Sequence, residues 1–174
     1  MNNIFIFCGP DQCGKTEISK EISKIFNVPY YKASTEHSAF LKNQDRFIND
    51  IRFSCPARLD LLKQINSGII YDRAYPCEWV YSRYFDRKTD DDAICYLDNE
   101  YSKLNAIIIF CTRKNFEGIQ DDLDSSINSQ SLEKISKLYD EFFKISKCRV
   151  LKLYVDDENL EREISDIIKF VGEK

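Results

Sequence analysis

The chain has 174 residues, 43% of them hydrophobic, enough for one domain (1–174) with a core of its own. A net charge of −4 excludes a protein that coats nucleic acid with its whole surface, and leaves DNA as a partner only through one basic groove on an acidic body. His37 is the single histidine, which argues against a His nucleophile or a His metal site, and seven scattered cysteines with no C-x-x-C pair and no signal peptide point to reduced thiols in a cytoplasmic protein.

The first element is an apolar run, Ile4–Cys8, which reads as a buried strand. It runs into Gly9-Pro10-Asp11-Gln12-Cys13-Gly14-Lys15-Thr16, a match at every fixed position to the phosphate-cradling loop G-x-x-x-x-G-K-[ST]. Ile18, Ile22, Ile25 and Phe26 then mark the apolar face of a helix. A short strand is expected over 28–32 and helix over about 36–50. Pro56 opens a further helix with Leu59, Leu62 and Ile65 on one face and Gly68 at its end. Ile69–Asp72 is the third strand, and helical patterns follow over 74–85 and 91–103. The fourth strand, 106–111, is the longest apolar run and far too short to span a membrane. Residues 114–130 are polar and acidic and read as a mobile lid loop. A helix over 132–145, a strand over 150–154 and a helix over 159–171 close the chain.

Five short apolar strands separated by helices predict an α/β fold, a parallel sheet with helices on both faces. Ligands in such sheets bind at the carboxyl ends of the strands. The Gly-rich loop, Asp72 and Arg113 all follow strand ends, so they can share one crevice. In the loop, Gly9 and Gly14 let N–H groups converge on a phosphate, and the helix start adds positive charge. Lys15 supplies a point charge to the β and γ phosphates, and the Thr16 hydroxyl can ligate Mg²⁺. Cys13 lies among N–H groups that lower a thiol pKa, although it also suits the loop simply as a small residue. Asp72, at the end of an apolar strand beside the loop, is placed to hold Mg²⁺, and Arg73 to clamp a phosphate.

With Asp11 in its third position and Asp72-Arg73 at a strand end, the chain resembles the thymidylate kinases, a branch of the P-loop nucleoside monophosphate kinases. The resemblance is clearest from Ile4 to about Tyr84. It implies ATP as donor, Mg²⁺ as cofactor, catalysis through Lys15, Asp11, Asp72 and Arg73, and a possible homodimer. It implies that Asp11 contacts the 3′-hydroxyl of an acceptor deoxyribose and that Arg58 holds the acceptor phosphate. Phe53 would stack on the base, with Trp79 or Tyr81 lining a pyrimidine. The family's F-S-x-x-R pattern is present as Phe53-Ser54-Cys55-Pro56-Ala57-Arg58, with one extra residue. The same aromatic spacings also suit ordinary helix cores. Two departures stand out. Gln12 occupies a loop position where some members carry arginine, and 114–130 contains no arginine. Arg83, Arg87 or Lys88 could substitute, or the acidic loop could contact the acceptor.

The reaction expected is phosphoryl transfer from ATP–Mg²⁺ to a pyrimidine deoxynucleoside monophosphate. A hydroxyl acceptor, a nucleoside or a modified base in DNA, is the alternative and needs a carboxylate base such as Asp11 or Asp72. A non-catalytic nucleotide-binding protein or switch is a third, against which the chain lacks the guanine-reading N-K-x-D motif.

Overall fold

A computed structural model of the protein describes residues 3–32, 45–119 and 127–173. Five strands form one parallel sheet in the order β2-β3-β1-β4-β5: β1 Ile4–Cys8, β2 Tyr30–Lys32, β3 Ile69–Asp72, β4 Ile107–Thr112 and β5 Arg149–Tyr154. β1 is central and buried along its whole length. Burying side chains such as Phe5, Ile6 and Phe7 contributes about 1.5–3 kcal/mol each.

Strand alternation divides the helices between two faces. Phe5 meets Phe26 of α1 (Lys15–Phe26) on one face. α7 (Leu160–Gly172) packs beside α1. On the other face Tyr71 meets Tyr101 of α5 (Asp91–Lys103), and Phe110 meets Tyr139 of α6 (Ser129–Ile145). α4 (Tyr75–Tyr84) packs against both α5 and α6. The α/β architecture expected from the strand and helix pattern is the one observed. Among the described residues no helix is long and apolar enough to cross a membrane.

Several boundaries move for identifiable reasons. β2 starts after Pro29, which lacks the N–H that a ladder needs, although the Pro29 carbonyl still accepts from Ile70 N. The helix expected over 36–50 lies partly outside the described residues, and α2 covers Asp45–Asn49. A π-helical turn, Asp50–Ser54, leads into α3, Cys55–Ile65. α3 ends on Asn66 in the left-handed conformation rather than on Gly68. A Cβ on Gly68 would stand 2.7 Å from Asn3 O, so close packing is its function. α6 begins at Ser129, capped by the Asn128 side chain, and takes in the end of the segment expected to be loop. The described ends of 114–130 are anchored. Lys114 N and Asn115 N donate to Asp156, and Phe116 and Ile127 are buried.

Candidate active site

The site forms where β1, β3 and β4 end. The loop after β1 turns through left-handed conformations at Gly9 (φ 137°), Gln12 (φ 59°) and Gly14 (φ 62°). β4 passes so close to Gly9 that a Cβ there would lie 2.0 Å from Cys111 O. Lys15 is buried. Its ammonium folds back onto the Pro10 carbonyl and stands 3.8 Å from Asp11 Oδ1. Arg113, just past β4, donates from Nε to Gln12 O at 3.1 Å and pairs with Glu158 at 3.0 Å. Cys13 is fully buried, and burial pushes its thiol up to about 11, the opposite of the lowering expected from the loop N–H groups. It is a neutral packing residue.

A second cluster surrounds Asp72. Its Oδ2 accepts from Thr16 Oγ1 at 2.6 Å and from Tyr30 OH at 2.8 Å. Its Oδ1 is buried with no hydrogen-bond partner among the described residues. Lys32 Nζ donates to Thr16 Oγ1 at 3.4 Å. Burial, then the Asp72 carboxylate, raises the Tyr30 phenol, so it stays protonated and donates. A buried carboxylate oxygen without a partner, beside a hydroxyl oxygen, is the hard-donor set that Mg²⁺ takes, and the pair fits that ion.

A third cluster forms around Asp11. Arg73 holds a left-handed conformation (φ 72°), costly for a side chain of this size, with its N donating to Phe7 O at 2.9 Å. The turn sends its guanidinium to the Asp11 carboxylate and to 5.7 Å from the Tyr81 ring centroid. Tyr81 OH donates to Asp11 Oδ2 at 3.0 Å. Burial and Asp11 raise the Tyr81 phenol well above its ordinary value. Burial acts to lower Arg73, but the Asp11 carboxylate paired with it opposes that, and the guanidinium stays charged.

The remaining expected residues divide. Arg58 lies 5.4 Å from the Tyr31 ring centroid, reaches Asp50 at 3.3 Å and touches Cys55 Sγ at 2.9 Å. Phe53 is 67% exposed on the π-helical turn. Trp79 is instead in the core, packed on Phe142 with Arg83 stacked at 3.7 Å. Of the three expected substitute cations, Arg83 is engaged with Asp91 and Arg87 with Glu78, while Lys88 is exposed. Tyr30 and Lys32 were not expected. Their signal was present: alternate residues at the carboxyl end of a strand share one face, here the face of Asp72.

No family model matches the chain, and no curated protein sequence matches it. Solved structures do. The YorR protein of Bacillus subtilis, in complex with phosphorylated GDP, is 20% identical with a TM-score of 0.68, covering 97% of this chain and 95% of its own. Deoxyadenosine kinase from M. mycoides with bound dATP is 20% identical with a TM-score of 0.60, covering 99% of this chain and all of its own. Thymidylate kinase from Ehrlichia chaffeensis is 16% identical with a TM-score of 0.56, covering 98% of this chain and all of its own. The chain has the α/β fold of the P-loop nucleoside and nucleotide kinases.

Proposed function

We propose that the protein is a nucleotide kinase that transfers the terminal phosphoryl group of ATP to a pyrimidine deoxynucleoside monophosphate. The observation that carries this reading is the Asp11–Arg73–Tyr81 cluster, set beside the Thr16–Asp72 pair. One cluster suits the acceptor and the other the metal end of the donor.

The loop N–H groups and Lys15 hold the donor phosphates. Mg²⁺, held by Thr16 and Asp72, would neutralise charge on the phosphate oxygens. Arg73, next in the chain to Asp72 and paired with Asp11, can bridge donor and acceptor phosphates with its fork of donors. Asp11, oriented by Arg73 and Tyr81, presents a carboxylate to a sugar hydroxyl. Arg58, paired with Asp50, is assigned to the acceptor phosphate on the family resemblance. An ionised phosphate attacks without a base, so alignment and charge neutralisation suffice. The cations favour this over a hydroxyl acceptor. Asp11 is engaged by Arg73 and Tyr81, and the open Oδ1 of Asp72 is assigned to the metal rather than to a proton. The pyrimidine preference rests on the thymidylate-kinase pattern of the loop and of Asp72-Arg73.

The test is a panel of dTMP, dUMP, 5-hydroxymethyl-dUMP, thymidine and DNA with labelled ATP. Label is expected in the monophosphates, and Lys15→Met should lower turnover by about 10²-fold or more with the fold retained. Label in thymidine or DNA alone would overturn the choice of acceptor.

A further inference from the structure

A phosphoryl group in transfer spreads its charge over three oxygens, and fixed cations stabilise it. The three arginines expected at the site are matched to carboxylates: Arg73 to Asp11, Arg113 to Glu158, Arg58 to Asp50. Gln12 brings no charge. Lys114 stands 5.2 Å from the Tyr154 ring centroid, and 120–126 contains no lysine or arginine. Farther along α4, Arg83 and Arg87 are paired with Asp91 and Glu78.

Lys32 differs from all of these. It is the last residue of β2, in register with Asp72 and on the same face as Tyr30. Its ammonium donates to a hydroxyl, Thr16 Oγ1 at 3.4 Å, and no carboxylate among the described residues pairs with it. Thr16 gives its proton to Asp72 Oδ2, accepts from Lys32, and keeps one lone pair for a ligand. The ammonium thus stands beside the Thr16–Asp72 pair, in direct contact with no carboxylate among the described residues.

We propose that Lys32 is a catalytic residue, the cation that neutralises the transferring phosphoryl group in a chain whose loop and lid carry no arginine for the purpose. This rests on the kinase reading above. Lys32 stabilises the γ-phosphate in the bound triphosphate and, more strongly, in the transition state.

Two measurements test it separately from that reading. In the presence of Mg²⁺, fluorescent ATP and ADP analogues are titrated into the wild type, Lys32→Gln and Lys32→Arg. Lys32→Gln should weaken the triphosphate about tenfold and the diphosphate less than about twofold, since a charge-assisted bond of this kind is worth about tenfold or more in affinity. Lys32→Arg should recover most of the loss. In the transfer assay Lys32→Gln should lower kcat by about 10²-fold with a smaller change in KM for ATP. Equal weakening of both nucleotides, or undiminished affinity and kcat, would overturn the proposal. A wild type that labels no acceptor, yet shows the Lys32-dependent preference for triphosphate, would sink the kinase reading and leave Lys32 as a γ-phosphate ligand.

Discussion

Arg73 holds a backbone conformation that its side chain disfavours, and Asp11 and Tyr81 are what its guanidinium meets in return. Strain of this kind costs about 1–3 kcal/mol and persists where the surroundings over-determine it. Tyr81→Phe keeps the ring under Arg73 but removes the donor to Asp11 Oδ2. We expect kcat/KM for the acceptor to fall about tenfold, the loss of roughly one hydrogen bond to a carboxylate, with binding of ATP nearly unchanged. Steady-state kinetics with each substrate varied separately would check this. Equal losses for donor and acceptor would place Tyr81 outside the acceptor side. Asp11, Thr16, Asp72 and Arg73 were legible from the sequence because each stands at a fixed offset from a strand end. For Tyr30 and Lys32 the sequence carried only the alternation that puts them on one face, since their meeting with Asp72 and Thr16 depends on β2 pairing with β3.

Among the elements, a π-helical turn over 50–54 leads into α3 just ahead of Arg58. The segment from Phe53 to Arg58 has one residue more than the thymidylate-kinase spacing, and Cys55 N donates to Asp50 O, five residues back. A π turn absorbs one extra residue without ending the helix, and such turns occur often at functional sites. The loop between β1 and α1 has the opposite character and admits nothing extra. Gly9→Ala would drive a Cβ into Cys111 O, a backbone atom of the neighbouring strand. The strands must separate or the loop must shift. We expect a loss of about 3 kcal/mol, lowering the melting temperature by roughly 10 °C, together with loss of nucleotide binding. Calorimetry and nucleotide titration measure the two effects. A variant that melts and binds like the wild type would contradict the close approach of β1 and β4.

At the scale of the whole molecule, α7 packs its inner face against α1 with Glu163 buried in it. Glu163 Oε1 has no hydrogen-bond donor among the described residues, and Arg162, 3.6 Å away, is shared with Asp157 and Asp166. Burial raises the Glu163 carboxyl above its ordinary value of 4.5. A raised folded-state pKa means that the protonated form is the better accommodated one. Its contribution is fully present below the unfolded value and is lost as pH rises through the folded one. Glu163→Gln, which cannot ionise, should therefore melt about 2–4 °C above the wild type near pH 7.5, a difference that closes toward about pH 4. A melting series against pH would show it. A variant less stable at neutral pH would mean that the ionised form is the one the fold prefers.

The sequence by itself determined the α/β class, the parallel sheet and the tight strand–loop–helix turn over 9–16. Each is written in local signals: apolar runs of strand length, glycines where φ must be positive, and chemistry at strand ends. Tertiary structure alone decided which groups meet. Trp79 went into the core because α4 turns it toward Phe142, while Tyr81, two residues on, reaches Asp11. Burial left the Cys13 thiol neutral where proximity to N–H groups had suggested otherwise. Lys32 joined the site because sheet order sets β2 beside β3. Contacts between distant segments depend on register and packing, and those arise only when the whole chain has closed around its core.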